Sequence, residues 1–507
     1  MTGNFRPLLI ADGVHASARR TPDKIALECA GRFRSFAALA QRVRVIAAKL
    51  ASDHGVRRGE RVAIFAPNCL EYPEIVCGCA DAGAIIATVN PRGNANELRA
   101  ACDDCGARVL FVHESLLDMA GKANCATVER QIVIGGDYEN WSTGSADTVQ
   151  RPVLEETDPF TLVYSSGTTG APKGILISHR SRVLTFHGMA MEYGCYGPDD
   201  RFLALAPMAH GAGFAFAMGA LYFGAYVRIV PRFDPEQLLR ELAEGCFTGV
   251  FLVPTHFQSI FALPKATLDR YRGTARNLRA IISNAAPLPQ AVKQSIVEYF
   301  GEGLLHESYG STEAGIVTNL RPQYQLARRQ SVGKPFAATF VRILDEQGAD
   351  MGSDETGELY STSPYLFNGY WNQPQATAAA MRGNWLTAGD LARRDADGFI
   401  YIVDRKKDMV ISGGINIYPR EIEEVLLRCD GILEAAVVGT PDPHWGERLV
   451  AFVVRYPTAR VDEATLAGFC ATELSRYKLP REFRFIDALP RNAGGKILKN
   501  ELRALLA

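Results

Sequence analysis

Charge of one sign is the first thing this sequence lacks. Its 507 residues carry 55 Lys and Arg against 56 Asp and Glu, a net charge of −1. No global basic field points to a nucleic acid or an anionic membrane. The first residues, Met1-Thr2-Gly3-Asn4-Phe5-Arg6-Pro7, show no long apolar core behind a positive start. No secretory signal is expected, and a cytoplasmic protein is. Cys102 and Cys105 form a C-x-x-C, and Cys77 and Cys79 lie two apart, but no second pair follows at zinc-site spacing. The eleven cysteines therefore read as reduced structural thiols. Repeats and low-complexity tracts are absent. One uncharged run, Phe202 to Tyr226, is long enough to span a bilayer. Pro207, His210 and Gly211-Ala212-Gly213 would break a spanning helix, so it reads as a buried strand and a buried helix, with no integral membrane segment.

What remains is an ordinary globular composition, 47% hydrophobic and 22% charged, in a chain too long for one core. Apolar residues at helical spacing run from Ser35 to Asp53. Strands are expected at Arg61–Phe65, Ala84–Val89 and Val109–His113, with helices between them. The alternation resumes after a polar stretch, with strands near Phe202–Ala206, Tyr226–Val230, Gly249–Val253 and Ala280–Ser283. This argues for parallel, doubly wound sheets. From about Lys334 short strands separated by Gly and Asp turns suggest a β-rich subdomain. The charged break Asp404-Arg405-Lys406-Lys407-Asp408 precedes an α+β pattern of about a hundred residues. The expected fold class is α/β: an N-terminal domain over 1–404 with doubly wound sheets and a β-rich subdomain over about 334–404, then a small α+β domain over 405–507.

The chain's most distinctive string is Tyr164-Ser165-Ser166-Gly167-Thr168-Thr169-Gly170-Ala171-Pro172-Lys173-Gly174, set between two apolar strands. Glycines expose backbone N–H groups, hydroxyls add donors and Lys173 adds charge, a set suited to polyphosphate. It is not the P-loop pattern, because Gly174 follows Lys173. A glycine-rich surface loop without a ligand is the competing reading.

The whole string resembles the signature loop of the ANL superfamily of adenylate-forming enzymes, of the acyl-CoA synthetase type. Further strings match that family in order: Pro207 to Phe214 (P-x-x-H-x-x-G), Ser283-Asn284-Ala285-Ala286-Pro287-Leu288, Tyr309-Gly310-Ser311-Thr312-Glu313, Trp385 to Asp390, and Gly494-Gly495-Lys496. The resemblance covers essentially the whole chain. It implies that Ser165, Ser166, Gly167, Thr168, Thr169, Gly170 and Lys173 hold ATP phosphates. Tyr309 and Gly310 would lie against adenine with Ala286, and Glu307 would accept the adenine amino group. Asp390 and Arg405 would hold the ribose. Thr312 and Glu313 would bind phosphate and Mg²⁺, with Glu313 the metal ligand. His210, Gly211, Phe214, Asn284 and Ser311 would form the acyl pocket. Ser412, Gly413 and Gly414 would line the CoA tunnel, Lys496 would be the catalytic lysine, and Lys407 the hinge.

The sequence departs from the family at several of these positions. Glu307 stands where Asn is frequent, Asn284 and Ala285 replace two glycines, and Ala388 and Gly494 each replace a hydroxyl residue. Taken singly, each residue has a blander reading: His210 as a satisfied core histidine, Glu313 as a solvated acid, Asp390 as a turn residue, Ser412-Gly413-Gly414 as a hairpin turn, Lys496 as a solvated lysine.

The resemblance implies two half-reactions. A carboxylate attacks the α-phosphorus of MgATP and releases pyrophosphate, and then the CoA thiol takes the acyl group and AMP leaves. The small domain is expected to be mobile, rotating between the two steps. No acidic residue near His210 is placed to bind an α-amine, so a plain carboxylic acid is expected. Small residues (Gly211, Ala212, Gly213, Ala215, Ala217, Gly219) suggest a medium- or long-chain fatty acid, with aromatic acids next. A ligase loading a carrier protein and a nucleotide-binding regulatory protein without catalysis are the other readings. A homodimer is left open.

Overall fold

The computed structural model describes residues 5–144, 151–165, 173–457, 459–491 and 497–506. The chain divides into two compact units. One holds the chain through Ser165, then from Lys173 through Phe340, with Ser361–Leu386; the other holds Val341–Tyr360 and the chain from Thr387 onward.

The first unit contains two sheets. In one, the parallel strands Arg61–Phe65, Ile85–Val89, Val109–His113 and Arg130–Ile134 lie beside Pro159–Ser165. Every residue of Ile85–Val89 is buried, as expected of a parallel strand covered on both faces. The helix Ala95–Cys105 is bounded by local signals at both ends. Asn94 and Glu97 close a capping box at its start, and Gly106, at φ +65°, ends it in the left-handed conformation. The second sheet has parallel central strands, Arg201–Ala204, Tyr226–Ile229, Gly249–Leu252, Ala280–Ser283 and Leu305–Ser311. An antiparallel hairpin, Leu305–Ser311 with Gly315–Leu320, extends it.

The uncharged run resolves as anticipated, into the strand Arg201–Ala204 and the helix Gly211–Tyr222. Among the described residues no helix is long and apolar enough to cross a membrane. The sequence reading missed one polar feature of the core. The helix Glu71–Asp81 is buried along its whole length, Glu74 completely. Arg34 Nε and Arg42 Nε each reach the Glu74 carboxylate at 2.7 Å, and Tyr138 donates to it at 2.9 Å. A carboxylate can be buried this deeply only with such partners.

In the second unit the strands Trp385–Arg394 and Ile400–Arg405 pair antiparallel. A five-stranded sheet follows, in which Ile432–Asp442 and Gly446–Arg455 form a long antiparallel pair and Glu482–Phe485 adds in parallel. The helix Pro419–Leu426 turns Ile422, Val425 and Leu426 into that unit's core. Proline at its first turn supplies a preset φ where no N–H partner is needed.

Candidate active site

The signature loop's two flanks are an antiparallel pair, with Tyr164 opposite Gly174 and Ser165 opposite Lys173. Ser166, Gly167, Thr168, Thr169 and Gly170 lie outside the described residues. What the flanks touch was not legible in the sequence. Gly369–Tyr370 adds a two-residue antiparallel strand beside the Lys173 strand. Gly174 leaves room for it, since a Cβ there would stand 3.1 Å from Trp371 Cβ. Tyr370 is thereby placed so that the Lys173 ammonium lies 4.9 Å from its ring centroid. The Tyr370 hydroxyl donates to Glu313 Oε1 at 2.9 Å. Burial first, and then the Glu313 charge, push the Tyr370 phenol well above its ordinary range, so it stays a donor. Lys173 and Glu313, far apart in sequence, therefore share one tyrosine. No motif pointed to Tyr370; the only hint was a glycine before two aromatics.

Glu313 sits at the tip of the hairpin that also carries Tyr309. Tyr309 is paired with Thr318, and the register shifts between Tyr309 and Gly310. Gly310 is required there, because a Cβ would stand 2.0 Å from Gly315 O. The tip is closed by Ala314 N–H donating to Ser311 Oγ at 3.1 Å, with Gly315 at φ +69°. Thr312 lies against the start of the helix Gly211–Tyr222: a Cβ on Gly211 would stand 3.0 Å from Thr312 Oγ1.

His210 occupies the N-cap position of that helix without capping it through its side chain. Its Nε2 is buried with no hydrogen-bond partner among the described residues. Burial and then Arg92 push its pKa down, which favours the neutral ring. His210 is thus not the satisfied core histidine of the blander reading. Phe214 is buried one turn later, its ring against Phe160 and the Arg182 guanidinium. The segment after Ser283 holds Ala285 at φ +79°, where the family motif has glycine.

Glu307, two residues before Tyr309, is buried at 6% exposure. Its Oε2 is in contact with the Lys293 ammonium, and Leu288 N–H reaches its Oε1 at 3.4 Å. The charge that made this position a doubtful match is therefore neutralised by a residue the sequence reading did not consider.

In the second unit Asp390 lies inside the strand Trp385–Arg394 rather than in a turn. It is directly opposite Arg405, whose Nε reaches Asp390 Oδ1 at 2.6 Å. Thr387 and Lys406 both bind Glu358, at 2.8 and 2.9 Å. Lys407 is exposed, and partial desolvation of its ammonium pushes its pKa down. Ser412 faces Ile415 across a two-residue turn, with Gly413 at φ +59° and Gly414 at φ +77°, the backbone that hairpins of this length favour. Gly413 N–H donates to Trp445 O at 2.8 Å. Lys496 lies outside the described residues.

All eleven cysteines are free thiols. Among the described residues no group of three or more His, Cys, Asp or Glu side chains could hold a metal ion. Magnesium needs no such group, since it takes one or two carboxylates and completes its shell with substrate oxygens and water. Glu313, with one oxygen bonded to Tyr370, fits that role.

A family model described as AMP-binding enzyme matches residues 14–371, and one described as AMP-binding enzyme C-terminal domain matches residues 421–496. A 2-succinylbenzoate–CoA ligase of Geobacillus kaustophilus is 34% identical over 490 residues, 96% of each chain. A long-chain-fatty-acid–CoA ligase of Bacillus subtilis is 32% identical over 523 residues, covering 96% of this chain and 92% of that one. The crystal structure of ATP-bound MatB from Rhodopseudomonas palustris superposes with a TM-score of 0.88 at 28% identity, covering 97% of this chain and 98% of that one. The chain belongs to the AMP-binding enzyme family, within the adenylate-forming superfamily its motifs resemble, and is an AMP-forming acid–CoA ligase.

Proposed function

We propose that the protein activates an aryl carboxylic acid with MgATP and passes the acyl group to CoA. The observation that carries the chemistry is the convergence of Lys173, Tyr370 and Glu313, with Thr312 beside the His210 helix start. Lys173 brings positive charge to the base of the signature loop. Glu313, oriented by Tyr370, would hold Mg²⁺, which supplies charge neutralisation for the phosphates. Neutral His210 would shape the carboxylate end of the acid site. Tyr309 and Ala286 would flank the base, and Asp390 with Arg405 would take the ribose hydroxyls. Lys496 would stabilise charge growing on the phosphates, and Ser412 to Gly414 would line the thiol's path. Lys407 would be the hinge between half-reactions.

The choice of acid turns on the small residues after His210. Gly213 is pressed against Pro207 O, where a Cβ would stand 2.2 Å away, and Gly219 against Phe186, Tyr196 and Met189. Close packing accounts for these two glycines, so they no longer argue for a long acyl group. The succinylbenzoate-ligase relative favours an aryl acid; the fatty-acid-ligase relative keeps a medium or long fatty acid as the second reading. A pyrophosphate-release screen over aryl acids and aliphatic chain lengths, with CoA or a carrier protein as acceptor, tests this. Aryl acids with CoA should give the highest kcat/KM. A maximum on fatty acids overturns the choice of acid, and no acid-dependent release overturns the function.

A further inference from the structure

We propose that Lys293 is a positioning residue that sets the nucleotide choice of this enzyme, by holding Glu307 as a fixed anionic acceptor for the 6-amino group of adenine. The inference rests on the reading that Glu307 faces the base. Lys293 sits on the helix Gln290–Phe300 at 1% exposure, and its ammonium meets Glu307 Oε2. The ammonium takes one acceptor site of Oε2. An ionised carboxylate has about four acceptor sites, so Glu307 keeps room for a further donor. The surroundings say where that donor comes from. Glu307 lies on the same strand as Tyr309, two residues away, and so points to the same face. Its register partner is Ser283, which opens the segment proposed to lie along the base. Leu288 N–H, at the far end of that segment, reaches the other carboxylate oxygen.

The chemistry is specific. An ionised carboxylate only accepts hydrogen bonds. Adenine offers an N–H at position 6, whereas 6-oxo purines offer an oxygen there, which the carboxylate repels. Without Lys293 the buried carboxylate loses its compensating charge and shifts toward its protonated form. A protonated carboxyl can donate, and would then tolerate a 6-oxo group.

The test is acid-dependent pyrophosphate release with ATP and with ITP, across pH 6 to 9, for wild type, Lys293→Met, Lys293→Arg and Lys293→Met/Glu307→Gln. For Lys293→Met the ATP KM should rise about tenfold with little change in kcat. Its ATP-over-ITP ratio of kcat/KM should fall about tenfold at low pH and recover as pH rises. Lys293→Arg should keep the wild-type ratio. The double variant, which buries no charge, should show a reduced ratio that does not depend on pH; it carries the test if Lys293→Met does not fold. An unchanged ATP-over-ITP ratio in folded Lys293→Met or in the double variant overturns the proposal, whatever happens to stability. Wild type with no acid-dependent release fails the functional reading itself, a result distinct from an active wild type whose ratio ignores Lys293.

Discussion

Tyr370 donates its hydroxyl hydrogen to Glu313 Oε1 at 2.9 Å, while the Lys173 ammonium lies over the same ring. Groups that orient a metal-binding carboxylate through a hydrogen bond typically cost 10- to 100-fold when removed. Tyr370→Phe should therefore lower kcat/KM for acyl-adenylate formation about tenfold and raise the Mg²⁺ concentration needed for half-maximal rate. Magnesium titrations of pyrophosphate release check this. A Mg²⁺ dependence identical to wild type would remove Glu313 from the metal's shell.

Lys496→Ala should lower the adenylation rate about 100-fold or more, the usual loss when one preorganised charge donor is removed. Thioester formation from pre-made acyl-AMP should change little. The two half-reactions are assayed separately, and survival of adenylation would show that another group stabilises the phosphates.

Lys407→Pro fixes φ at the proposed hinge. Adenylation should persist and transfer to CoA should stop. Equal loss in both half-reactions would mean that Lys407 is not the pivot.

His179 and His306 are both buried, and burial pushes each down to about 4. Each Nδ1 also faces a donor, Ile10 N–H at 3.2 Å and Asn319 Nδ2 at 3.0 Å, which suits a neutral ring. The unfolded chain, with ordinary histidines near pH 6.5, takes up protons that the folded chain refuses. Stability from these two groups is present above pH 6.5 and is lost as pH falls toward 4. Each contributes a slope of up to about 1.4 kcal/mol per pH unit in that window. Urea melts at pH 7.5, 6.5 and 5.5 should show the loss beginning above the range where carboxylates titrate, and a flat profile there would contradict the burial argument.

Ala285 holds φ +79°, a conformation that costs a side chain roughly 1–2 kcal/mol. Glycine's looser unfolded chain costs only roughly 0.4–1 kcal/mol in return. Ala285→Gly should raise stability, read as a higher melting temperature. A fall would mean that the surrounding contacts already compensate the strain.

The repeating parts of the fold were legible because hydrophobic period and turn residues act locally. Arg61–Phe65, Val109–His113 and Ala280–Ser283 form where the apolar runs lie, and the Gly413-Gly414 pair makes the tight turn that was its blander reading. Site strings such as Tyr309 to Glu313 were legible for the same reason, being contiguous. What stayed hidden depends on pairings across long separations. Tyr370 joins the site through a two-residue strand too short to leave a period, and Lys293 meets Glu307 because a helix packs over a strand. Arg34 and Arg42 lie 40 and 32 positions from Glu74, yet their pairing with it lets a helix be buried on all sides.

The hairpin tip works as a caliper. Gly310 and Gly315 meet through backbone alone, so no side chain fits at Gly310 without opening the hairpin. Ser311 helps to close the tip, its Oγ accepting from Ala314 N–H. Under the proposed roles, a side chain added at Gly310 would disturb the Tyr309 and Glu313 ends of the site together.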